Sequence, residues 1–270
     1  MAKGTLETAD VQCANGMNAF VALPGAPASS LAVVLLHERY GLVQHPRDLA
    51  RRFAEAGHPC IAPNLYFREP DQESLARGEG RAATNDPEVC ADLDVAMSKI
   101  TESLGWRPQR FGVIGVCATG RYPLIIAAQR SEVGACVVVY GGLDTRQWDV
   151  TGEQPEALDA LIHRSQAPVL GVFGERDHLI SVDHVRRFRA SLEDAQRNYH
   201  VRIFPDAPHG WVNDTMPGRY RHDHAEAAFR LMLGFFERAN SEGYPPDRIE
   251  AVFESDISRD YDFSKNVRLE

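Results

Sequence analysis

The chain has 270 residues, of which 44% are hydrophobic and 25% charged, a balance typical of a soluble globular protein with one sizeable core. Its formal net charge of -9 and the lack of Lys/Arg runs argue against nucleic-acid and membrane-surface binding. The longest apolar stretches are too short to span a bilayer, and the first residues lack the apolar region of a signal peptide. We therefore expect no nucleic-acid or membrane partner.

The five cysteines are odd in number and irregularly spaced, which predicts reduced thiols in a cytoplasm rather than a disulfide framework. No Cys/His cluster has the spacing of zinc ligands, so we expect no metal. We also expect no dissociable cofactor.

Strands and helices alternate along the chain, which predicts an α/β fold with a mostly parallel central sheet and helices on both faces. The predicted strands cover residues 17–23, 31–36, 59–62, 110–114, 135–139, 168–173 and 199–204. The predicted helices cover residues 46–56, 87–104, 122–129, 183–192 and 222–239. We expect a single domain over residues 1–240, followed by a C-terminal extension over residues 241–270.

Residues 115–120, Gly-Val-Cys-Ala-Thr-Gly, lie between a predicted buried strand and a predicted helix. This pattern is typical of the nucleophile elbow of α/β-hydrolases, in which a tight turn holds the nucleophile at the end of the strand. The positive end of the following helix favours a thiolate and a bound oxyanion. The motif predicts Cys117 as a nucleophile, and an inert buried cysteine is the alternative. Thr119 departs from the pattern, because this position is usually Gly.

Two further side chains follow the ends of later strands, in the order that an α/β-hydrolase triad requires. Asp177 ends the sequence Gly-Glu-Arg-Asp after the strand at 168–173, and His209 lies in Pro-His-Gly after the strand at 199–204. Loops at the carboxyl ends of parallel strands share one edge of a sheet, so these side chains are expected to meet Cys117. His209 would accept the thiol proton, and Asp177 would orient the imidazole.

These motifs resemble those of the dienelactone hydrolases (carboxymethylenebutenolidases), and the resemblance spans about residues 10 to 240. Residues 35–42, Leu-Leu-His-Glu-Arg-Tyr-Gly-Leu, resemble the family's strand that ends in Glu, a variable residue, an aromatic residue and Gly. Residues 63–66, Pro-Asn-Leu-Tyr, resemble its Pro-Asp-Leu-Tyr turn. The resemblance implies an α/β-hydrolase fold and hydrolysis of an ester or lactone through a thioester.

The resemblance also implies further roles near the thiol. Glu38 would hydrogen-bond the resting thiol and control its activation as substrate binds. The backbone N–H groups of Ala118 and Arg39 would form the oxyanion hole, which agrees with the general arrangement in this fold. From the residues alone, Glu38 is instead a loop carboxylate paired with Arg39 or Arg47.

The substrate end of the site is less like the family. Relatives that cleave dienelactone bind its carboxylate with arginines, and Asn213 stands where one of them would lie, four residues after His209. Asn lacks the guanidinium fork of a bidentate carboxylate contact. The resemblance places another family arginine on the helix after the Pro-Asp-Leu-Tyr turn, where Arg77 and Arg81 lie, although Gly78 and Gly80 disturb the alignment. Arg121 is a candidate replacement or a solvated residue at the start of a helix. Aromatic residues expected in the pocket wall or in the core are Tyr40, Tyr66, Tyr140 and Trp211.

Two segments lie outside this pattern. Residues 144–166 form a polar connection with a short helix expected at 156–164, and a lid, a pocket wall and a solvated insertion all remain open. The extension at 241–270 is charged and holds four widely spaced aromatic residues. Such tails are often disordered, whereas its aromatic residues favour docking on the domain or on a neighbouring subunit.

The sequence thus predicts a cytoplasmic cysteine hydrolase for a small ester or lactone, as a monomer or homodimer. One alternative is hydrolysis of another activated ester, such as a phosphotriester, with the same triad. Another is a non-catalytic small-molecule binder of the same fold. A redox-sensing thiol is weaker, because no resolving cysteine lies close in sequence to Cys117.

Overall fold

The computed structural model describes residues 5–25, 29–241, 243–245 and 247–270. Its strands are β1 (Glu7–Gln12), β2 (Asn18–Leu23), β3 (Leu31–Leu36), β4 (Cys60–Pro63), β5 (Arg110–Val116), β6 (Val133–Val139), β7 (Val169–Arg176), β8 (Tyr199–Pro208) and β9 (Ala251–Ser255). Its helices are α1 (Gln44–Glu55), α2 (Gln72–Arg77), α3 (Asp86–Leu104), α4 (Tyr122–Gln129), α5 (Leu158–Arg164), α6 (Val182–Asp194) and α7 (His222–Ser241).

The strands form one nine-stranded sheet in the order β1-β2-β4-β3-β5-β6-β7-β8-β9. Strand β2 runs antiparallel to β1 and β4, and the strands from β4 to β9 are parallel to one another. The central strands β3 and β6 are rich in Val and Leu with a few small residues, and every residue is buried because helices cover both sides of the sheet. Helices α3 to α6 cover one core, and α1 and α7 cover the other. The predicted α/β fold is confirmed.

Three elements were not predicted from the sequence. Strand β1 is largely exposed, so it lacks the alternation of buried and exposed residues that marks a strand. Helix α2 is only six residues long and begins at Asp71, whose carboxylate accepts a hydrogen bond from the Ser74 N–H at 2.9 Å. Strand β9 lies at the other edge of the sheet with its side chains mostly half-buried.

The connection at residues 144–166 and the C-terminal extension both bond to the rest of the domain. The helix expected at residues 156–164 is α5, and the connection before it is held by a hydrogen bond from the Asp86 N–H to the Glu153 carbonyl (2.9 Å). The C-terminal extension docks on the domain, since β9 pairs with β8. None of the helices in the described part of the chain has the length and apolar character needed to span a bilayer.

Candidate active site

Cys117 lies at the carboxyl end of β5, in a 3-10 turn over Cys117–Thr119 that leads into α4. Its φ of 55° is in the left-handed region, a strained conformation for a residue with a side chain. Neighbouring glycines allow it. A Cβ on Gly115 would lie 2.3 Å from the Thr119 carbonyl oxygen, and one on Gly141 would lie 1.8 Å from the Cys117 carbonyl oxygen. This turn is the sharp strand-to-helix turn that the sequence pattern predicts.

Thr119, the departure from the usual elbow, is fully buried and ties the turn to the neighbouring strand. Its hydroxyl accepts a hydrogen bond from the Val116 N–H at 2.9 Å. The same oxygen lies 3.0 Å from the carbonyl oxygens of Val116 and His37, and it donates its proton to one of them. The close approach of strand and helix is provided by Gly115 and Gly120 instead.

The three side chains expected to meet do so at the carboxyl edge of the sheet. The Sγ atom of Cys117 lies 3.0 Å from Nε2 of His209, and Nδ1 of His209 lies 2.8 Å from Oδ2 of Asp177. The other carboxylate oxygen of Asp177 accepts hydrogen bonds from the N–H groups of Leu179 (2.7 Å) and Ile180 (2.9 Å). Because Nδ1 faces a carboxylate it carries a proton, and Nε2 is left to exchange a proton with the thiol.

The electrostatics of this cluster favour a charged imidazole. Burial lowers the pKa of His209, but the negative charges and hydrogen bonds of Asp177 and Cys117 outweigh it and hold this pKa well above the ordinary value. His178, whose ring centroid lies 5.6 Å from that of His209, has its pKa lowered by burial and by the neighbouring positive charge. The imidazolium form of His209 is the partner that a thiolate nucleophile needs.

Glu38 is buried beside this cluster, with partners that differ from the expected ones. Its Oε1 accepts a hydrogen bond from the Tyr140 hydroxyl at 3.2 Å, and its Oε2 accepts one from the Asn213 side-chain amide. The thiol of Cys117 faces His209, so the hydrogen bond between Glu38 and the resting thiol implied by the resemblance is not present. Pairing of Glu38 with an arginine is also wrong, because Arg47 bonds Asp10 at 2.6 Å. The other arginine considered, at position 39, bonds backbone carbonyls.

Asn213 is fully buried, and its amide is oriented by a second contact. Its Oδ1 accepts hydrogen bonds from the Thr215 N–H (3.0 Å) and hydroxyl (2.7 Å), which leaves Nδ2 to donate to Glu38. Burial and the charge of Glu38 raise the pKa of Tyr140 well above its ordinary value, so the phenol remains a donor. Neither contact was predicted, because the sequence does not show that Asn213 and Tyr140 converge on one carboxylate.

His37, which the sequence analysis gave no role, supports Glu38 from the backbone side. Its Nε2 accepts a hydrogen bond from the Leu65 N–H at 3.0 Å, and its Nδ1 donates to the Glu38 carbonyl at 2.7 Å. These partners define the neutral tautomer, because a proton on Nε2 would face another N–H. Burial lowers the pKa of His37 to about 4.

Acid pH is therefore expected to destabilise the protein through His37. The unfolded chain takes up a proton near pH 6.5 and the folded chain only near pH 4, so this stability is present above pH 6.5 and is lost as the pH falls. The loss amounts to about 3 kcal/mol in the free energy of unfolding. Urea unfolding of wild type and His37→Gln between pH 4 and 7 tests this, because Gln can make both hydrogen bonds without titrating. Equal slopes of unfolding free energy against pH in the two proteins would contradict it.

The two backbone amides proposed for an oxyanion have no backbone partner among the residues that the structure describes. Ala118 is exposed and lies within the first turn after β5, where N–H groups have no acceptor in the helix. The Arg39 N–H donates no hydrogen bond within the part of the chain that the structure describes. In the same described ranges, no group of three His, Cys, Asp or Glu side chains is placed to hold a metal ion.

Arg121 is not placed as a substrate ligand or as a solvated residue. It is 5% exposed, and its guanidinium pairs with Asp86 at 2.8 Å. It also donates to the carbonyl oxygens of Glu156 (2.9 Å) and Gln147 (3.2 Å). Both expectations are corrected, because the guanidinium joins the start of α3 to the connection at residues 144–166.

The aromatic candidates separate into core and rim. Trp211 is fully buried, and its ring packs 4.7 Å from Phe204 and 6.1 Å from Tyr140. Trp211 therefore supports Tyr140 from within the core, and of its two expected places the pocket wall is wrong. Tyr140 itself is fully buried and reaches the site through its hydroxyl group. Tyr40 is half-buried and Arg81 is exposed.

Comparison with known proteins agrees with this geometry. A sequence model of the dienelactone hydrolase family matches residues 17–240. A Salmonella typhimurium protein named "Putative carboxymethylenebutenolidase" is 33% identical over 226 residues, covering 82% of each chain. An Escherichia coli K12 protein of the same name is 31% identical over 230 residues, covering 83% of each chain.

Solved structures show the same fold. A structure titled "Putative Dienelactone Hydrolase" from Klebsiella pneumoniae has a TM-score of 0.77 and 27% identity, covering 87% of this chain and all (100%) of that one. A dienelactone hydrolase-like promiscuous phosphotriesterase from metagenomic libraries has a TM-score of 0.70 at 19% identity, covering 87% and 99% of the two chains. The chain therefore belongs to the dienelactone hydrolase family, enzymes that hydrolyse ester and lactone bonds.

Proposed function

We propose that the protein hydrolyses a small carboxylic ester or lactone, with Cys117 as nucleophile, His209 as general base and acid, and Asp177 as its orienting partner. The observation that carries this proposal is the continuous contact from Sγ through the imidazole to a buried carboxylate, at 3.0 and 2.8 Å. The strained turn at Cys117 supports it, because such strain is common at functional sites.

The proposed reaction has two halves. In the first, the Cys117 thiol gives its proton to Nε2 of His209, the sulfur bonds to the carbonyl carbon, and the oxyanion is held by the N–H groups of Ala118 and Arg39. The intermediate then expels the alkoxide, which takes the Nε2 proton of His209 and leaves a thioester. In the second half, His209 removes a proton from water, the resulting hydroxide attacks the thioester, and the acid product leaves as the thiolate is restored.

Glu38 belongs to this proposal as a carboxylate that controls the thiol. Tyr140 and Asn213 hold its two oxygens away from Cys117, so the thiol is free to face His209. A substrate group that competes for either donor would release the carboxylate toward the thiol. A nearby negative charge disfavours the thiolate, and a released carboxylate can instead accept its proton.

The substrate is proposed to carry an acidic group. Arg39 donates to the carbonyl oxygens of Gly78 (2.7 Å) and Gly80 (3.3 Å), and Arg81 follows directly in the chain. Within the described residues, neither arginine forms an ion pair with a carboxylate, so their positive charge is available to a ligand. The Tyr40 ring centroid lies 5.7 Å from the Arg39 guanidinium carbon. We further propose a cytoplasmic monomer or homodimer.

A substrate panel tests the proposal. We expect turnover of p-nitrophenyl acetate and cis-dienelactone, and a mass increase of one acyl group on Cys117 when the reaction is quenched early. Arg81→Gln should raise KM for the anionic lactone and leave the neutral ester unchanged. Turnover of the phosphotriester paraoxon alone would favour the alternative function, hydrolysis of a phosphotriester with the same triad. No turnover and no fast-reacting thiol would favour a non-catalytic binder.

A further inference from the structure

The residues after β9 cross the outer side of the catalytic cluster. We call residues 256–270 the C-terminal strap and residues 177–181 the acid loop. The strap lies outside residues 17–240, the part of the chain that matches the family. Its contacts with the acid loop are therefore made by residues outside the matched range.

The first contact of the strap is with Glu175, a carboxylate that is 1% exposed and lies two residues before Asp177. Its Oε1 accepts hydrogen bonds from the Ser258 N–H (2.8 Å) and from the Ser258 hydroxyl. Its Oε2 accepts a hydrogen bond from the Asp206 N–H at 3.1 Å. Glu175 thus joins the end of β7, the end of β8 and the strap, and these are the strands that carry the acid and the histidine.

Two more side chains of the strap hold the acid loop itself. The Asn266 side-chain amide donates to the carbonyl oxygens of Glu175 and Asp177, each at 3.0 Å. The Tyr261 hydroxyl accepts a hydrogen bond from the Val182 N–H at 3.0 Å, where α6 begins directly after the loop. The loop is therefore held by the strap both at Asp177 and at its exit.

The strap then reaches the segment that follows His209. Arg219 donates from Nε to the Leu269 carbonyl at 2.6 Å. Its side chain packs against Gly210, where a Cβ would lie 3.2 Å from the Arg219 Cδ. At Gly218 a Cβ would lie 1.8 Å from the Glu270 backbone oxygen, so only glycine fits there. One continuous segment thus contacts the supports of both His209 and Asp177.

We propose that the C-terminal strap contributes to catalysis. Asn266 and Tyr261 act as positioning residues that keep the Asp177 carboxylate within hydrogen-bond distance of His209. This inference rests on the proposed triad. Asp177 raises the pKa of His209 only while its Oδ2 stays within hydrogen-bond distance of Nδ1. A catalytic group that moves by about 1 Å can lose about 10²-fold in rate, so support of the loop affects catalysis directly.

Kinetics of Asn266→Ala and Tyr261→Phe test the inference. We expect kcat to fall by about 10-fold to 100-fold in Asn266→Ala, with KM nearly unchanged. The alkaline limb of the pH profile, where the His209 imidazolium loses its proton, should move to lower pH. Tyr261→Phe should lower kcat and shift the alkaline limb in the same directions, but to a smaller extent. The matched control is Ser264→Ala, because among the described residues that hydroxyl bonds only Asp262, within the same turn.

A double-mutant cycle separates positioning from stability. If Asn266 acts through Asp177, Asn266→Ala should have no further effect on kcat in an Asp177→Asn background. A lower melting temperature with wild-type kcat and pH profile in both strap variants would overturn the inference. If Asn266→Ala does not fold, Tyr261→Phe, which loses one oxygen atom, decides the question alone.

The same assay separates this inference from the proposed function. Activity retained by Cys117→Ala would overturn the triad and the strap's role together. An inactive Cys117→Ala combined with an unchanged pH profile in both strap variants would overturn the role of the strap alone.

Discussion

Replacing Cys117 with alanine is expected to lower kcat for ester hydrolysis by about 10⁴-fold or more, because the acyl group would have no sulfur to bond. The fold should be retained, since Cys117 is only partly buried and alanine removes one atom from the surface of the turn. The measurement is steady-state hydrolysis of p-nitrophenyl acetate, with circular dichroism to confirm folding. Unchanged turnover would show that another group attacks the ester.

Cys90→Ala is the matched control for this variant. The four other cysteines are buried, and burial raises the pKa of Cys90 to about 11, so its thiol is unreactive near neutral pH. This control should keep wild-type activity and the single fast reaction with iodoacetamide. Cys117→Ala should lose that fast reaction. Fast alkylation that persists in Cys117→Ala would place the reactive thiol elsewhere.

Asp177→Asn is expected to lower kcat by a similar amount, about 10⁴-fold, while the shape of the site is kept. The Asp177 Oδ1 atom accepts two backbone N–H groups, from Leu179 and Ile180, so the carbonyl oxygen of an asparagine would stay there. The NH₂ group would then face Nδ1 of His209 and force the proton onto Nε2. That tautomer cannot accept the proton of Cys117.

The pH profile supplies the second measurement for Asp177→Asn. Without the carboxylate, the pKa of His209 should fall. The residual activity should therefore begin to decline at a lower alkaline pH than the activity of wild type. Asp206→Asn is the control, because this exposed carboxylate also lies near the end of β8 but its partner is Arg176 at 3.6 Å. Near-normal kcat in Asp177→Asn would contradict the role of Asp177.

The sequence was sufficient to predict that Cys117, His209 and Asp177 meet, because each follows a strand whose pattern is local. Cys117, Asp177 and His209 end three strands of one parallel sheet, and the topology of such a sheet brings these ends to one edge. The elbow motif also predicted the turn, because close packing of strand and helix requires glycines at these positions. Family resemblance then added Glu38, whose position was predicted although its hydrogen-bond partners were not.

The remaining errors concern side-chain direction and long-range partners. Arg121 was predicted to bind substrate or to be solvated because it follows the elbow directly. Its guanidinium instead points to Asp86, which lies 35 residues earlier in the chain. Trp211 was expected in either the pocket wall or the core, and its packing against Phe204 places it in the core. Strand β9 and the strap have no local signal, because their hydrogen bonds are made with β7, β8 and α6.

The proposed role of the strap also predicts an order of events during synthesis. Translation proceeds from the N-terminus, and domains form as their residues become available. Cys117, Asp177 and His209 are all made before Tyr261 and Asn266. A nascent chain therefore holds the complete set of reacting groups while the acid loop still lacks its outer hydrogen bonds. On the proposed role of the strap, hydrolysis by such a chain is weaker until Tyr261 and Asn266 have been synthesised and bond the acid loop.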